Sequence, residues 1–351
     1  MRILHYVDAA FIGWEVPYIE LIKSLDALGI ENILLCRPKG RIEKVAREYN
    51  VKLFTYKHLF SWSPIVSPRF IKLIKKISPD IIHTRLSNAA RIAGLCGKKL
   101  NIPVVSTLDG CFDKNYYKNS THLLPCSKSV RDYEISCGVS HEKMTIIHNA
   151  VNVKFYSRDE KIRNEIRKTK NLDNNKICFL GIGRLTDWKG FDILLKGFAE
   201  FLKCQEYPQR FILWIAGDGE ERENLKNLAK ELNINEHVKF LGFVDDVRKI
   251  LWASDVYVHP SKEDEPFGLS LLQAMSAGLP VIASQSGGIP EMLNRSQGLL
   301  FPKSDVKKLS ECMNEIITKI NSLSELSLER AKDFDVSVIA KKVYEVYEKF
   351  I

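Results

Sequence analysis

The sequence has no Cys-x-x-Cys pair and no histidine cluster at zinc-ligand spacing, although eight cysteines (36, 96, 111, 126, 137, 178, 204 and 312) are scattered along its 351 residues. That spacing indicates neither a disulfide framework nor a metal site, and most of the cysteines are expected to be reduced core residues. No apolar run approaches the roughly 18 residues of a membrane span, and the opening Met1-Arg-Ile-Leu-His-Tyr-Val-Asp8 turns polar too soon for a secretory leader. A cytoplasmic setting is therefore expected. No Gly-x-Gly-x-x-Gly opens a helix after a first strand, which makes a nicotinamide-dinucleotide enzyme the least favoured α/β reading. Nor is there a repeat of solenoid period.

What is present is ordinary globular composition, 45% hydrophobic and 27% charged, at a length that suits about two domains of roughly 150 residues. Lys and Arg total 52 against 43 Asp and Glu, a net charge of +9 that fits an anionic partner: nucleic acid, a phosphorylated substrate or an anionic membrane face. Nothing beyond net charge points to nucleic acid, so none is expected as a partner.

Short β-rich runs alternate with amphipathic stretches throughout, the signature of an α/β protein with parallel sheets. Strands are predicted at Arg2 to Val7, Asn32 to Cys36, Ile81 to Thr84 and Pro103 to Thr107, with helices at Val16 to Leu28 and Asn88 to Leu100. The series restarts at Ile177 to Ile182, with a helix near Phe191 to Leu202 and a strand at Phe211 to Ala216. Two Rossmann-like parallel-sheet domains facing across a cleft are expected, 1–157 and 158–335, with a terminal helix in 336–351 packing back on the first. The segment 149–156 and the charged stretch Arg158 to Lys170 read as the hinge. Ligands of open parallel sheets sit beyond the carboxyl ends of the strands, so the strand-end loops are where chemistry is sought.

Four such loops in the second half stand out. Gly181-Ile-Gly-Arg-Leu-Thr-Asp-Trp-Lys-Gly190 places Arg184 and Lys189 at a strand end, two cations suited to a diphosphate. Gly217-Asp-Gly219 lets a ligand approach backbone closely, or is simple turn chemistry. In the run from Pro260 to Pro280 a polar loop carrying Glu265 leads into a helix near Phe267, whose first amides at Phe267, Gly268 and Leu269 suit a phosphate or sugar hydroxyls. Gln273 lies two turns along that helix, within reach of a different part of one extended ligand. Ser286-Gly-Gly-Ile-Pro-Glu291 places Pro just inside another short helix. The acid pairs in Glu263-Asp-Glu265 and Asp245-Asp246 read as loop acids rather than metal ligands.

Taken together these segments resemble the retaining glycosyltransferases of family 4, which have the GT-B fold, and the resemblance covers nearly the whole chain. It rests on Gly183-Arg184 with Lys189-Gly190, Gly217-Asp-Gly219, Gly242-Phe-Val244, and the element from Glu265 through Phe267-Gly-Leu269 to position 273. It implies transfer of a hexose or N-acetylhexosamine from a nucleotide sugar, UDP-linked by preference, to a cell-surface glycan such as lipopolysaccharide, capsule or a lipid-linked oligosaccharide. No cofactor is implied. By resemblance Arg184 and Lys189 hold the diphosphate, Val244 meets the base, and Glu265 with the 267–269 amides holds the donor sugar. The family's second Glu, assigned to the ribose hydroxyls, is Gln273 here, a neutral and weaker acceptor.

The amino half agrees more loosely. Phe11-Ile-Gly-Trp14 takes the place of the family's glycine-rich loop, leaving Gly13 to admit a phosphate and Trp14 to narrow the space. In Ser106-Thr-Leu-Asp-Gly110 the family often has His-Gly, and Asp109 reads equally as an acid, a base, a sugar ligand or a turn residue. Asp8, Glu15, His83 and Arg85 stand at strand ends or adjoining loops as acceptor-side candidates. Phe60 to Ile77 joins aromatics to a helix with Arg69, Lys72, Lys75 and Lys76, which reads as an anionic-membrane contact or as an ordinary surface helix. Two rival functions remain open at this point: a nucleotide-sugar epimerase of the same architecture, and a catalytically weakened partner subunit.

Overall fold

A computed structural model describes residues 1–58, 66–293 and 296–351. They form two compact units, Met1–Asn152 with Phe334–Ile351, and Val153–Asp333.

The first unit is built on β1 (Arg2–Val7), α1 (Glu15–Asp26), β2 (Glu31–Cys36), α2 (Arg41–Glu48), β3 (Leu53–Thr55), α3 (Pro68–Ile77), β4 (Ile81–Arg85), α4 (Ser87–Leu100), β5 (Val104–Leu108), β6 (His122–Pro125) and α5 (Lys128–Ser136). The strands form one parallel sheet in the order β3-β2-β1-β4-β5-β6. Helices cover both faces of such a sheet, so β1, β4 and β5 are almost wholly buried, and the polar residues they carry, such as His83 and Thr84 of β4, need partners inside the sheet. The order of connection reverses between β1 and β4, and the segments leaving those two strands begin with Asp8 and Leu86.

The chain's last helix, Val336–Tyr347, belongs to this unit. Its Ile339, Val343 and Val346 pack with Leu21 and Leu25 of α1 and Ile81 of β4. Asp335 caps it by accepting from Ser337 N at 2.9 Å, and Val151 and Asp335 form a parallel bridge. The outgoing and returning chains of the first unit therefore run side by side.

Polar groups thread the middle of the sheet. His83, expected among the acceptor-side loops, is instead an interior residue of β4, 2% exposed, hydrogen-bonded through Nε2 to Thr107 Oγ1 at 2.7 Å and through Nδ1 to the Tyr347 hydroxyl. His5, 1% exposed, meets Asn32 Oδ1 at 2.8 Å. These bonds satisfy imidazoles that would otherwise be costly to bury.

The second unit comprises α6 (Val153–Tyr156), α7 (Glu160–Thr169), β7 (Ile177–Ile182), α8 (Phe191–Lys203), β8 (Phe211–Ala216), α9 (Arg222–Glu231), β9 (Val238–Gly242), α10 (Val247–Ala253), β10 (Val256–His259), α11 (Leu269–Ser276), β11 (Val281–Ser284), α12 (Ile289–Met292), β12 (Leu299–Phe301), α13 (Val306–Ile316) and α14 (Ile320–Ala331). Its parallel sheet runs β12-β11-β10-β7-β8-β9, the same topology as the first. Phe179, Phe198, Phe201 and Leu213 lie at the centre of its core.

The charged stretch expected as a hinge is α7, docked on the second unit. Arg167, 1% exposed, donates to the carbonyls of Ala253, Asp173 and Lys176, and both Arg163 and Arg167 grip Asp255, at 2.5 and 3.1 Å. A guanidinium with five donors can be buried when this many acceptors converge on it, which is why so basic a run is not a solvated linker. The helix expected near Phe267 starts at Leu269, because Gly268 takes a left-handed φ of +92° and serves as its N-cap.

Five of the eight cysteines are buried, and all eight are free. Among the described residues no helix is long and apolar enough to cross a membrane.

Burial predicts a pH dependence. It lowers the His5 pKa from 6.5 to about 4 and holds His83 well below 6.5. Between pH 6.5 and 4 the unfolded chain takes up protons that the folded chain refuses, so stability is full above pH 6.5 and is lost on acidification. His5 alone should cost about 2 kcal/mol between pH 6.5 and 5. Urea titrations at pH 7 and 5 check this: His5→Gln should shrink the difference between the two midpoints, and an unchanged difference would refute the assignment.

Candidate active site

The second sheet reverses its connection order between β7 and β10, and their carboxyl ends deliver Gly183-Arg184 and Pro260. Ligands of doubly wound sheets bind at such a switch point. Here it is built around Glu265, 8% exposed. Three side chains converge on one oxygen: Oε2 lies 2.6 Å from Lys189 Nζ, 3.1 Å from Ser261 Oγ and 3.2 Å from His259 Nε2. Burial by itself would raise the proton affinity of this carboxyl, but the contacts with His259 and Lys189 overcome it and hold the group well below the usual carboxylate range. No hydrogen bond among the described residues reaches the other oxygen, Oε1.

The cations differ. Lys189 is paired and stands 4.1 Å over the Trp188 ring. Arg184 is exposed, and its guanidinium has no hydrogen bond or ion pair among the described residues. The hub thus offers one fixed ammonium and one carboxylate oxygen, Oε1, without a hydrogen bond among the described residues, and the same strand end carries the exposed Arg184.

Close backbone packing holds the loops in place, and glycine is required for it at two positions in particular. A Cβ on Gly217, at φ +137°, would fall 1.7 Å from the Gly183 carbonyl oxygen. One on Gly287 would fall 2.2 Å from the carbonyl oxygen of Glu265 itself. The same loops exchange backbone hydrogen bonds: Gly183 N to Ala216 O, Gly217 N to Gly242 O, and Gly288 N to Glu265 O at 2.8–3.0 Å. The Gly217-Asp-Gly219 segment thereby acts as a brace for the Arg184 loop.

Of the remaining expected residues, Gly268 and Leu269 sit at the start of α11, where amides have no intrahelical acceptor. Phe267 precedes that helix and its ring is 2% exposed, so the side chain belongs to the core. Val244 is half-buried beyond β9. Gln273 donates from Nε2 to the Tyr156 hydroxyl at 2.8 Å. Asp264 accepts from Lys303 at 2.7 Å and from Gly287 N, and Asp246 caps α10 and pairs with Arg248, so both act as loop acids. Sequence reasoning did not single out His259, Ser261 or Tyr257, whose hydroxyl meets Ser270 Oγ at 2.8 Å. The signal for His259 was a lone polar residue ending an apolar strand.

In the first unit the switch point gathers Arg85, Asp109 and Asn149. Arg85 Nη2 donates to Asp109 Oδ1 at 2.6 Å and to Asn149 Oδ1, while the guanidinium lies 4.5 Å from the Trp14 ring centre and 5.1 Å from that of Tyr18. Among the described residues, Asp109 Oδ2 is buried without a hydrogen-bond partner. Three expected residues are otherwise engaged. Asp8 is gripped by Arg37 at 2.8 and 2.9 Å, one bond to each oxygen. Glu15 folds back to accept from Ile12 N at 2.8 Å and Gly13 N at 3.3 Å. The Gly13 amide, expected to face a phosphate, is therefore given to a carboxylate of this chain, whose charge disfavours an anion there.

The family described as Glycosyl transferases group 1 matches residues 162–332, and Glycosyltransferase Family 4 matches residues 13–155. The phosphatidyl-myo-inositol mannosyltransferase of Mycobacterium leprae is 32% identical over 307 residues, 82% of this chain and 78% of that protein. The lipopolysaccharide core biosynthesis glycosyltransferase LpsE of Rhizobium meliloti is 25% identical over 337 residues, 95% and 93% of the two chains. An uncharacterized glycosyltransferase of Methanocaldococcus jannaschii is 29% identical over 231 residues, and the match spans 56% of its length. HepE from Anabaena, solved in complex with UDP, superposes with a TM-score of 0.85 at 20% identity, covering 99% of this chain and 100% of that one.

The fold is GT-B, and the class is that of sugar-transferring enzymes. This chain belongs to the family 4 glycosyltransferases.

The glycine frame makes a testable demand. Gly217→Ala should lower stability by more than about 2 kcal/mol, because a backbone clash adds to left-handed strain. Gly29→Ala, at φ +81° with nothing within 4 Å of the added Cβ, bears the strain alone and should cost about 1 kcal/mol. Equal shifts in the urea midpoints of the two variants would refute the brace.

Proposed function

We propose that this chain is a retaining transferase that moves a hexose or N-acetylhexosamine from a UDP-sugar to a glycan acceptor of the kind that builds lipopolysaccharide, capsule or lipid-linked oligosaccharide. The observation that carries the proposal is the Glu265 hub. One carboxylate oxygen is saturated by the protein and the other is left for a sugar hydroxyl, beside Lys189 and on the same unit as the unpaired Arg184. The name of the rhizobial relative supports the glycan class, and the UDP bound by the Anabaena protein supports the base.

In the proposed reaction the bond from the sugar's anomeric carbon to the diphosphate oxygen breaks, and UDP leaves with the electron pair. Lys189, Arg184 and the first amides of α11 stabilise the charge that develops on the diphosphate. The acceptor hydroxyl forms the new bond on the face the diphosphate leaves. Its proton passes to a donor phosphate oxygen or to Asp109. Glu265 and Gln273 hold sugar and ribose hydroxyls, and Val244 meets the base. On the acceptor side, Arg85 fixes Asp109 through Oδ1, and the unpartnered Oδ2 is an acceptor for a sugar hydroxyl.

Transfer assays with UDP-sugars, reading the product's anomeric configuration by NMR, test the proposal. Glu265→Gln should lower kcat by about 100-fold or more, with UDP binding within a few-fold of wild type. Undiminished turnover in that variant, or an inverted product, would sink this reading.

The lipid-linked acceptor motivates a membrane contact. On α3, Arg69, Lys72, Lys75 and Lys76 are exposed, while Phe70, Ile74 and Ile77 are buried in the core. The neighbouring Phe60 and Trp62 lie outside the described residues. Four cations near an anionic surface are worth about 1 kcal/mol each. Flotation with phosphatidylglycerol vesicles should recover the wild type and lose a variant with all four changed to Gln. Equal recovery of the two would exclude the α3 face.

A further inference from the structure

Gln273 stands where the proposed donor reading, on which this inference rests, puts the nucleotide's ribose. Its Nε2 donates to the Tyr156 hydroxyl at 2.8 Å, and Tyr156 is 3% exposed at the end of α6. That tyrosine is anchored independently of Gln273, because its backbone carbonyl accepts from Trp252 Nε1 at 2.8 Å, and Trp252 is itself 6% exposed. The α6 turn also packs directly on α11. The phenol oxygen is thus a fixed point, and the amide's NH2 edge faces it.

An amide has one accepting edge and one donating edge. With one Nε2 hydrogen on Tyr156, Oε1 is the accepting atom left for a ligand. The two hydroxyls of a ribose diol can both donate to a carbonyl oxygen, which has two lone pairs, whereas the NH2 edge could meet only their oxygens. A carboxylate at this position needs no such orientation, since both of its oxygens accept and the phenol would donate to one of them. We propose that Tyr156 is a positioning residue that locks the Gln273 amide with its carbonyl toward the ribose, so that a neutral side chain does the accepting that a Glu would do in either orientation.

Calorimetric titration of the full chain with UDP and with 2′,3′-dideoxy-UDP tests this. Wild type should prefer UDP. Tyr156→Phe keeps the ring and the Trp252 bond, and it should weaken UDP by about fivefold while leaving the dideoxy nucleotide unchanged. In turnover it should raise the donor KM with little change in kcat. In a Gln273→Glu background the same Tyr156→Phe change should cost less than about twofold, because the carboxylate needs no lock. Equal weakening of both nucleotides by Tyr156→Phe would mark a merely structural role and overturn the lock, as would no weakening of either, or an undiminished cost in the Gln273→Glu background. Gln273→Ala separates this failure from failure of the parent reading. If Gln273→Ala keeps the wild-type preference for UDP, or if wild type binds no UDP, the ribose assignment falls and the lock with it. If Gln273→Ala abolishes that preference and Tyr156→Phe does not, the lock alone falls.

Discussion

The second unit depends on a buried carboxylate made affordable by three donors. Glu265 could not remain ionised at 8% exposure without compensation, and Lys189, His259 and Ser261 supply it on a single oxygen. Each partner comes from a strand end or the loop beyond it, so the ion pair requires the loops after β7 and β10 to be in register. The glycine contacts are what put them there, since Gly217 and Gly287 let backbones meet at distances no side chain allows. Chemistry and frame are in this sense one constraint: the carboxylate is held because the loops interlock.

The first unit follows a parallel logic with the charges exchanged. Its centre is a guanidinium, Arg85, 7% exposed, compensated by Asp109 and Asn149 and faced by the rings of Trp14 and Tyr18. The Trp at position 14, which as a sequence departure only narrows a loop, gains a positive role as a lid on that cation. In the same loop Glu15 accepts from the amides of Ile12 and Gly13 and ties the backbone that leads into Trp14.

How much of this was legible in the sequence follows the range of the forces involved. The strands were readable because a parallel sheet buried on both faces demands continuous apolar runs, and β1, β7, β8 and β10 fall where those runs fall. Arg184, Lys189 and Glu265 were readable as charged residues at strand ends. What sequence could not show was pairing. Asp8 and Asp109 look alike as strand-end acids, yet Arg37 takes both oxygens of one while Arg85 leaves an oxygen of the other open. His83 looks like a strand-end residue until the terminal helix, more than 250 residues later, places Tyr347 on it. The basic stretch around Arg163 and Arg167 looks like a solvated linker because acceptors for it, the Trp252 and Ala253 carbonyls and the Asp255 carboxylate, lie 86 to 89 residues on, at and just beyond the end of α10.

In the proposed reaction the Lys189 ammonium has to serve both Glu265 and a donor diphosphate. Breaking the ion pair would strand a buried carboxylate, which the low exposure of Glu265 makes expensive. No break is required. A lysine ammonium has three donors, and the described contacts show one hydrogen bond, to Glu265 Oε2. The Trp188 face holds the group by charge rather than by a donor. Two N–H vectors therefore remain for phosphate oxygens while the third stays on Glu265. On this argument the pair is a support that presents the ammonium already oriented, and Arg184, exposed and unpaired, is the cation with freedom to move onto the ligand.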